Sequence, residues 1–414
     1  MEALCSPQNM SEAMRRVIAN KGAPGVDGLT VRELADHWKR HGPTIVSQLL
    51  SGTYQPVPVQ RVEIPKPDGG VRKLGIPTVV DRMIQQALLH VLQPIWEPTF
   101  SEHSYGFRPG RSAQQAVAQA QAYIAAGRPW LVDIDLEKFF DRVNHDKLMR
   151  TLYGRIADGR VLKLIRAYLN AGVMEDGLVT PSAEGTPQGG PLSPLLSNIV
   201  LDELDQELER RGHAFVRYAD VCNIYVRSAA AGERVMKSIS DFITRKLKLK
   251  VNRDKSAVDK PSQRKFLGFT FSEKKATVLV SGKSVKRFKD RIRELTRRGV
   301  QALRMIADLN TYLRGWVGYF GHAEDYWTLR DLDSWIRRRL RSLSWRAWRT
   351  PRKRFRELTH RGVSAYDAIL LVRYRRNPWR ASRMPALNVA LPNRLWHERL
   401  RLLSLLDLWR QMRA

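Results

Sequence analysis

From Trp130 to Leu136 the chain alternates, with Trp130, Val132, Ile134 and Leu136 apolar and Asp133 and Asp135 between them. A period of two predicts a strand with one buried face and both aspartates on the other. Phe215 to Val226 reads as two short apolar strands joined at a turn around Asp220. Val57 to Ile76 alternates as well, and Pro67-Asp68-Gly69-Gly70 predicts a hairpin turn between Val62–Ile64 and Val71–Leu74. Elsewhere the spacing is helical. Residues 1–60 read as helices broken by a loop from Gly22 to Gly28, with Thr30 as the cap of the helix that follows. Further helices are expected over about 81–92, 112–126 with Ser112 as cap, 193–211 and 232–246, and over most of the chain from Val285. Phe266–Phe269 and Thr277–Val280 read as short strands. There is no internal repeat and no low-complexity linker. The outline is mixed α/β followed by a basic helical tail.

Charge changes this picture more than size does. At 414 residues and 43% apolar, the chain is long enough for two or three packed domains. Its 71 Lys/Arg against 41 Asp/Glu leave +30, with a pI near 10.6. Such a field attracts polyanions, so nucleic acid is the leading partner and an anionic membrane surface the second. No apolar run approaches the roughly 18–20 residues of a membrane span, and Met1 to Arg16 lacks the order of a signal peptide. The expectation is a soluble intracellular protein with no membrane partner. Two cysteines, Cys5 and Cys222, exclude a disulfide framework and a Cys-rich zinc site. From Ser281 onward, 32 Lys/Arg face 11 Asp/Glu, and 8 of the 11 tryptophans fall there. The segment Trp335 to Arg349 suits a surface that grips phosphates and stacks bases. It equally suits an amphipathic helix with Trp335, Leu340, Leu343 and Trp348 inside and a solvated arginine face.

Polymerases transfer nucleotidyl groups with two divalent cations roughly 3.5–4 Å apart. Hard cations need carboxylates brought together from separate strands. The strand ending at Asp135 and the turn at Asp220 are two such sources. A strand with two aspartates is by itself a weak signal, more often structural than catalytic. The ordered set is more specific: Pro65-Lys66-Pro67-Asp68-Gly69-Gly70-Val71-Arg72, Tyr105-Gly106-Phe107-Arg108-Pro109-Gly110-Arg111-Ser112, Asp133-Ile134-Asp135 with Phe139-Phe140-Asp141, Gly185-Thr186-Pro187-Gln188-Gly189-Gly190, Tyr218-Ala219-Asp220, Asn252 to Ser256, and Phe266-Leu267-Gly268-Phe269. Taken in order, these closely resemble the successive motifs of group II intron reverse transcriptase/maturases over about residues 20–350.

The resemblance implies an α/β right-hand polymerase with fingers and palm, followed by an all-α basic thumb/maturase region. The implied divisions are an N-terminal extension over 1–60, fingers and palm over 61–275, thumb/maturase over 276–360 and a DNA-binding region over 361–414. It implies RNA-directed DNA polymerase and RNA-splicing activities of a mobile element, with Mg²⁺ and dNTPs, acting on intron RNA, a DNA target and its primer. Asp135 and Asp220 then correspond to metal ligands, with Asp133 in a supporting place. Lys66 and Arg72 would hold the triphosphate, Phe140 would be the aromatic gate on the sugar, and Gln188 would lie against the nascent base pair. Lys255 would protonate the leaving pyrophosphate. Phe266, Leu267 and Gly268 resemble the primer grip, and Arg314, Arg337, Arg338 and Arg341 the RNA-binding surface. The chain ends without a His/Cys nuclease cluster, which resembles the compact, endonuclease-lacking bacterial class C form.

One position departs from the family pattern. Where a Tyr-Ala-Asp-Asp turn belongs, this chain has Tyr218-Ala219-Asp220-Val221. Valine cannot ligate a metal, so the expectation is a weakened two-metal site and crippled polymerisation, with RNA binding intact. A catalytically dead maturase and a reverse transcriptase recruited to phage defence are the other readings.

Overall fold

The predicted hairpin forms between β1 (Val59–Pro65) and β2 (Val71–Ile76), antiparallel with Val62 opposite Leu74. The alternating aspartate strand is β3 (Trp130–Asp135). Two short strands follow, β4 (Val173–Glu175) and β5 (Leu178–Thr180), then β6 (Ala214–Tyr218), β7 (Val221–Val226) and β8 (Ala257–Asp259). They make two four-stranded sheets, ordered β2-β1-β4-β5 and β6-β7-β3-β8. In the first, β4 runs parallel to β1; in the second, β3 is antiparallel to both neighbours. This computed structural model describes every residue except 66–70, 176–177, 181–184, 186–188, 298–301 and 374–376.

The chain divides into two units, Met1–Lys260 and Pro261–Ala414. The first is a mixed α/β palm with its fingers hairpin. Residues 1–60 share its core, where Met10, Val17, Leu34 and Leu49 pack with Leu88, Leu164 and Ile165. The helices Val79–Trp96 and Ser193–Arg210 are buried over most of their length, consistent with apolar residues on nearly every face. Ser112 caps the helix Ala113–Ala125 in a capping box with Gln115. Thr30 does not cap its helix. That helix starts at Leu34 after a turn, and Thr30 spends its amide and hydroxyl on the Glu33 carboxylate, at 2.9 and 2.7 Å. The helix expected to reach residue 246 ends at Phe242, and a π-turn from Ile243 to Leu247 continues it. In β3, Leu131 on the aspartate face is buried to 2% exposure, so that face opens only toward Asp133 and Asp135.

The second unit opens with β9 (Phe269–Phe271) and β10 (Val278–Val280), an antiparallel pair of their own. Residues 266–268, expected as strand, instead form a tight turn. Leu267 (φ 50°) and Gly268 (φ 90°) are both left-handed, and Phe266 and Phe269 exchange backbone hydrogen bonds at 2.9 Å across them. Alternation could not reveal this, because two apolar residues flank the glycine that permits the turn. The rest is helical, led by Gly282–Leu295, Ala302–Phe320 and Tyr326–Ala347. Buried Asp333 accepts from Ser404 Oγ and the amides of Leu405 and Leu406, fixing the start of the final helix Leu405–Arg413. Among the described residues, no helix is long and apolar enough to cross a membrane.

Candidate active site

β3 ends at Asp135, and the β6–β7 hairpin turns through only two residues, Ala219 and Asp220. The ladder between β3 and β7 sets Asp135 opposite Val221 and Asp133 opposite Asn223. Directly opposed residues in an antiparallel pair project to the same face. Val221 therefore shares the face of Asp135, one step from Asp220, and all three are half-buried. Asp133 lies two positions back along β3, a rise of about 7 Å. Among the described residues, no three His, Cys, Asp or Glu side chains gather as a metal-holding group. Asp135 and Asp220 are the carboxylates at these strand ends, and a hard cation would find two such ligands here.

The loop from Asn252 to Ser256 is clamped onto Asp135. The Asn252 amide donates to the Asp135 carbonyl at 2.8 Å, and the Asp135 amide donates to Ser256 Oγ at 3.0 Å. This brings Lys255 Nζ to 3.5 Å from Asp135 Oδ1, with most of the lysine side chain in solvent. Two residues that the sequence singled out separately thus lie side by side.

The hairpin turn is held from behind by residues that motif reading passed over. Ala219 is left-handed (φ 55°), a conformation costing roughly 1–2 kcal/mol for a non-glycine residue. Buried Arg217 stabilises it by donating from Nη1 to the Ala219 carbonyl at 3.0 Å. Its remaining N–H groups reach Asp205 (2.6–2.9 Å), Asn198 Oδ1 (3.0 Å) and Ser104 Oγ (2.7 Å), so every guanidinium donor is used. Burial works against the Arg217 charge, but Asp205 outweighs it and holds the guanidinium above its ordinary pKa. Gly106 presses against the turn: a Cβ there would stand 2.3 Å from the Ala219 nitrogen. The Asn198 side-chain amide fixes the Gly106 carbonyl at 2.9 Å. A buried Arg three residues before the turn aspartate, with Asp at 202 and 205 on a helix of apolar pattern, was the available signal.

Phe140 lies on a single 3₁₀ turn, Phe139–Asp141, half-buried and edge-on to buried Phe139. Gly190 abuts Gln85 so closely that a Cβ would meet its Oε1 at 2.3 Å. Gln85 on the helix Val79–Trp96 is therefore a neighbour of the glycine loop that sequence spacing did not suggest. Buried His145 donates from Nε2 to the Gly185 carbonyl at 2.6 Å, anchoring the start of that loop. Lys66 and Gln188 lie outside the described residues, and Arg72 is placed on β2 opposite Ile64.

In the second unit, the turn at Leu267 and Gly268 is anchored by Tyr319, which donates to the Leu267 carbonyl at 2.9 Å, and by Ser284, which donates to that of Gly268 at 2.8 Å. The expected solvated arginine face is only partly so. Arg341 is buried and donates to Leu391 O and Asn393 Oδ1. Arg338 lies 3.8 Å over Trp379 and donates to its carbonyl. Arg337 is half-buried and Arg314 exposed. The buried stripe is Leu332, Ile336, Leu340, Trp345 and Trp348, with Trp335 and Leu343 at its margin.

Carboxylates at adjacent strand ends of a four-stranded antiparallel sheet, beside a fingers hairpin, define a nucleic-acid polymerase palm. The chain belongs to the reverse transcriptase (RNA-dependent DNA polymerase) family, whose pattern matches residues 64–271, and the group II intron maturase-specific domain matches residues 285–362. It is 41% identical over 218 residues to protein YkfC of Escherichia coli K12, covering 51% of this chain and 57% of YkfC. It is 38% identical over 205 residues to the group II intron-encoded protein LtrA of Lactococcus lactis subsp. cremoris, covering 49% of this chain and 34% of LtrA. The match thus spans about half of one relative and a third of the other. Among solved structures, a partial Cas6-RT-Cas1–Cas2 complex is 28% identical over 58% of this chain and 42% of that one, with a TM-score of 0.37. Telomerase from Candida tropicalis in complex with a fragment of telomeric RNA is 12% identical over 88% and 67%, with a TM-score of 0.46.

Proposed function

We propose that this chain is a group II intron-encoded maturase that binds its intron RNA to promote splicing, and that its RNA-directed DNA polymerase site is crippled at Val221. The observation that carries this reading is the ladder register that sets Val221 opposite Asp135. A carboxylate there would project beside Asp135 and next to Asp220, where a metal pair needs its third anionic ligand. Valine leaves two. Asp133 is a poor substitute because its place on β3 is two residues back.

Mg²⁺ bound at Asp135 and Asp220 would supply Lewis-acid activation of the primer hydroxyl and charge neutralisation on the triphosphate. If the missing ligand supports several kcal/mol of transition-state stabilisation, the rate falls by roughly a thousandfold or more. The chain's own part would be orientation. The Asn252–Ser256 loop holds Lys255 3.5 Å from Asp135, where it would face the leaving group, and the Arg217 network holds the turn. Splicing needs the basic second unit and a rigid fold, neither of which depends on Val221. The relatives from Escherichia coli and Lactococcus lactis support a bacterial setting.

The test is primer extension on an RNA template with Mg²⁺, comparing this chain with Val221→Asp. The substitution should raise extension by orders of magnitude while both proteins bind intron RNA alike and with steep salt dependence. Equal extension by the two proteins rejects the crippled site.

A further inference from the structure

The helices His145–Tyr153 and Ser193–Arg210, with Trp96 and Leu247, line a cavity of about 230 Å³ in the first unit. Among the described residues, none of those at the Asp135–Asp220 site lines it. Its walls are apolar at Leu148, Ile199 and Val200, and its charged lining is Lys147, Arg155, Asp202 and Glu203. Three of these charges are engaged. Lys147 pairs with Glu203 at 2.7 Å, and Arg155 donates to Thr99 Oγ1 at 2.8 Å and lies 5.7 Å from the Trp96 ring. Asp202 is the exception. It is buried, Gln206 donates to its Oδ2, and its Oδ1 finds no donor among the described residues. A buried anionic oxygen left without a donor costs stability, and such a group in a folded protein calls for a specific explanation.

We propose that this cavity binds an alkylguanidinium group on Asp202, carried by a small metabolite or by an arginine side chain of a protein partner. The proposal goes beyond the polymerase reading and does not depend on it. Burial, with the Asp205 charge second, pushes the Asp202 carboxyl up to about 6, so at pH 7.5 it is still mostly ionised and takes a cation. The surroundings agree in sign. The helix Ser193–Arg210 carries five Asp/Glu against one Arg, in a chain whose net charge is +30. A phosphate or a nucleic acid is disfavoured there by the same charges that favour a cation. The apolar walls suit an aliphatic stem, as in the side chain of arginine. Guanidinium is more weakly hydrated than ammonium, so it costs less to bury beside a carboxylate.

The probes are butylguanidine, N-acetylarginine amide and butylamine, each titrated by calorimetry into the full chain at pH 7.5. Butylguanidine should bind more tightly than butylamine and raise the melting temperature of the parent chain. Asp202→Asn keeps the shape of the side chain and removes its charge. It should weaken butylguanidine binding by at least about tenfold and lose the melting shift. Thr151→Trp leaves Asp202 in place but sets an indole on the exposed rim, and it should abolish binding as well. Tighter binding of N-acetylarginine amide than of butylguanidine supports a protein side chain as the source; binding of butylguanidine alone supports a free metabolite. Equal affinity for butylamine overturns the guanidinium assignment. No binding of either guanidinium probe at millimolar concentration, or equal affinity for the parent and Asp202→Asn, overturns the site.

Discussion

Arg217 and Asp205 form a buried ion pair, Nη2 to Oδ2 2.6 Å, directly behind the turn that carries Asp220. The same guanidinium holds the Ala219 carbonyl. The pair therefore links the helix Ser193–Arg210 to the loop that carries Asp220, the proposed metal ligand. Breaking one side of such a pair leaves a buried, uncompensated charge. Arg217→Met or Asp205→Leu alone should each cost about 3–5 kcal/mol, read as a lower urea midpoint at unchanged slope. The double variant should cost less than the sum of the two. Equal and additive losses would show that the pair is not coupled.

Gly106 gives a steric counterpart. Any Cβ at this position meets backbone of the turn, which cannot swing aside as a side chain can. Gly106→Ala should destabilise by about 1–3 kcal/mol. In a Val221→Asp background it should reduce primer extension more than its loss of stability accounts for. The check is extension measured at a temperature where both proteins remain folded.

Asp202 predicts a pH signature. It is 8% exposed, its Oδ2 accepts from Gln206 at 2.6 Å, and its Oδ1 finds no donor among the described residues. Burial, with the Asp205 charge second, pushes its carboxyl up to about 6 from 3.8. The folded chain then keeps a proton that the unfolded chain releases, so stability contributed by this group falls as pH rises from about 4 to 6. Two pH units correspond to about 3 kcal/mol at most. Asp202→Asn should raise the melting temperature at pH 7.5, and the gain should shrink as pH falls toward 5. A gain independent of pH would mean that Asp202 is not the titrating group.

The arginines of the second unit should separate into two kinds. Arg341→Ala removes donors from Leu391 and Asn393 and should cost stability, seen in thermal melts. Exposed Arg314→Ala should leave melting unchanged and lower the salt slope of intron RNA binding by about one. If Arg314→Ala leaves the slope unchanged, that side chain does not reach a phosphate.

Most elements were legible because their signals are local. Period-two alternation gave β3 and the β1–β2 hairpin, Ser112 gave its cap, and the apolar strands around Asp220 gave the β6–β7 turn. The misreadings share another cause. Residues 31–33 form a turn, so the helix starts four residues beyond Thr30, and Phe266–Gly268 turned because Gly268 allows a left-handed backbone beside Leu267. Arg338 and Arg341 turned inward because neighbouring helices in the second unit offered carbonyls and a tryptophan face. None of these outcomes is written in the spacing of apolar residues.

The sequence alone determined the family, singled out Asp135 and Asp220 as candidate metal ligands, and showed valine after Asp220. These follow from residue types in a fixed order, which survive whatever the fold does. Tertiary structure decided the rest. Only the ladder register shows that Val221 faces Asp135 while Asp133 stands two residues behind, because strand pairing joins positions far apart in the chain. Only packing shows that Arg217 is a buried brace, since burial depends on the elements that surround a residue rather than on its neighbours in sequence.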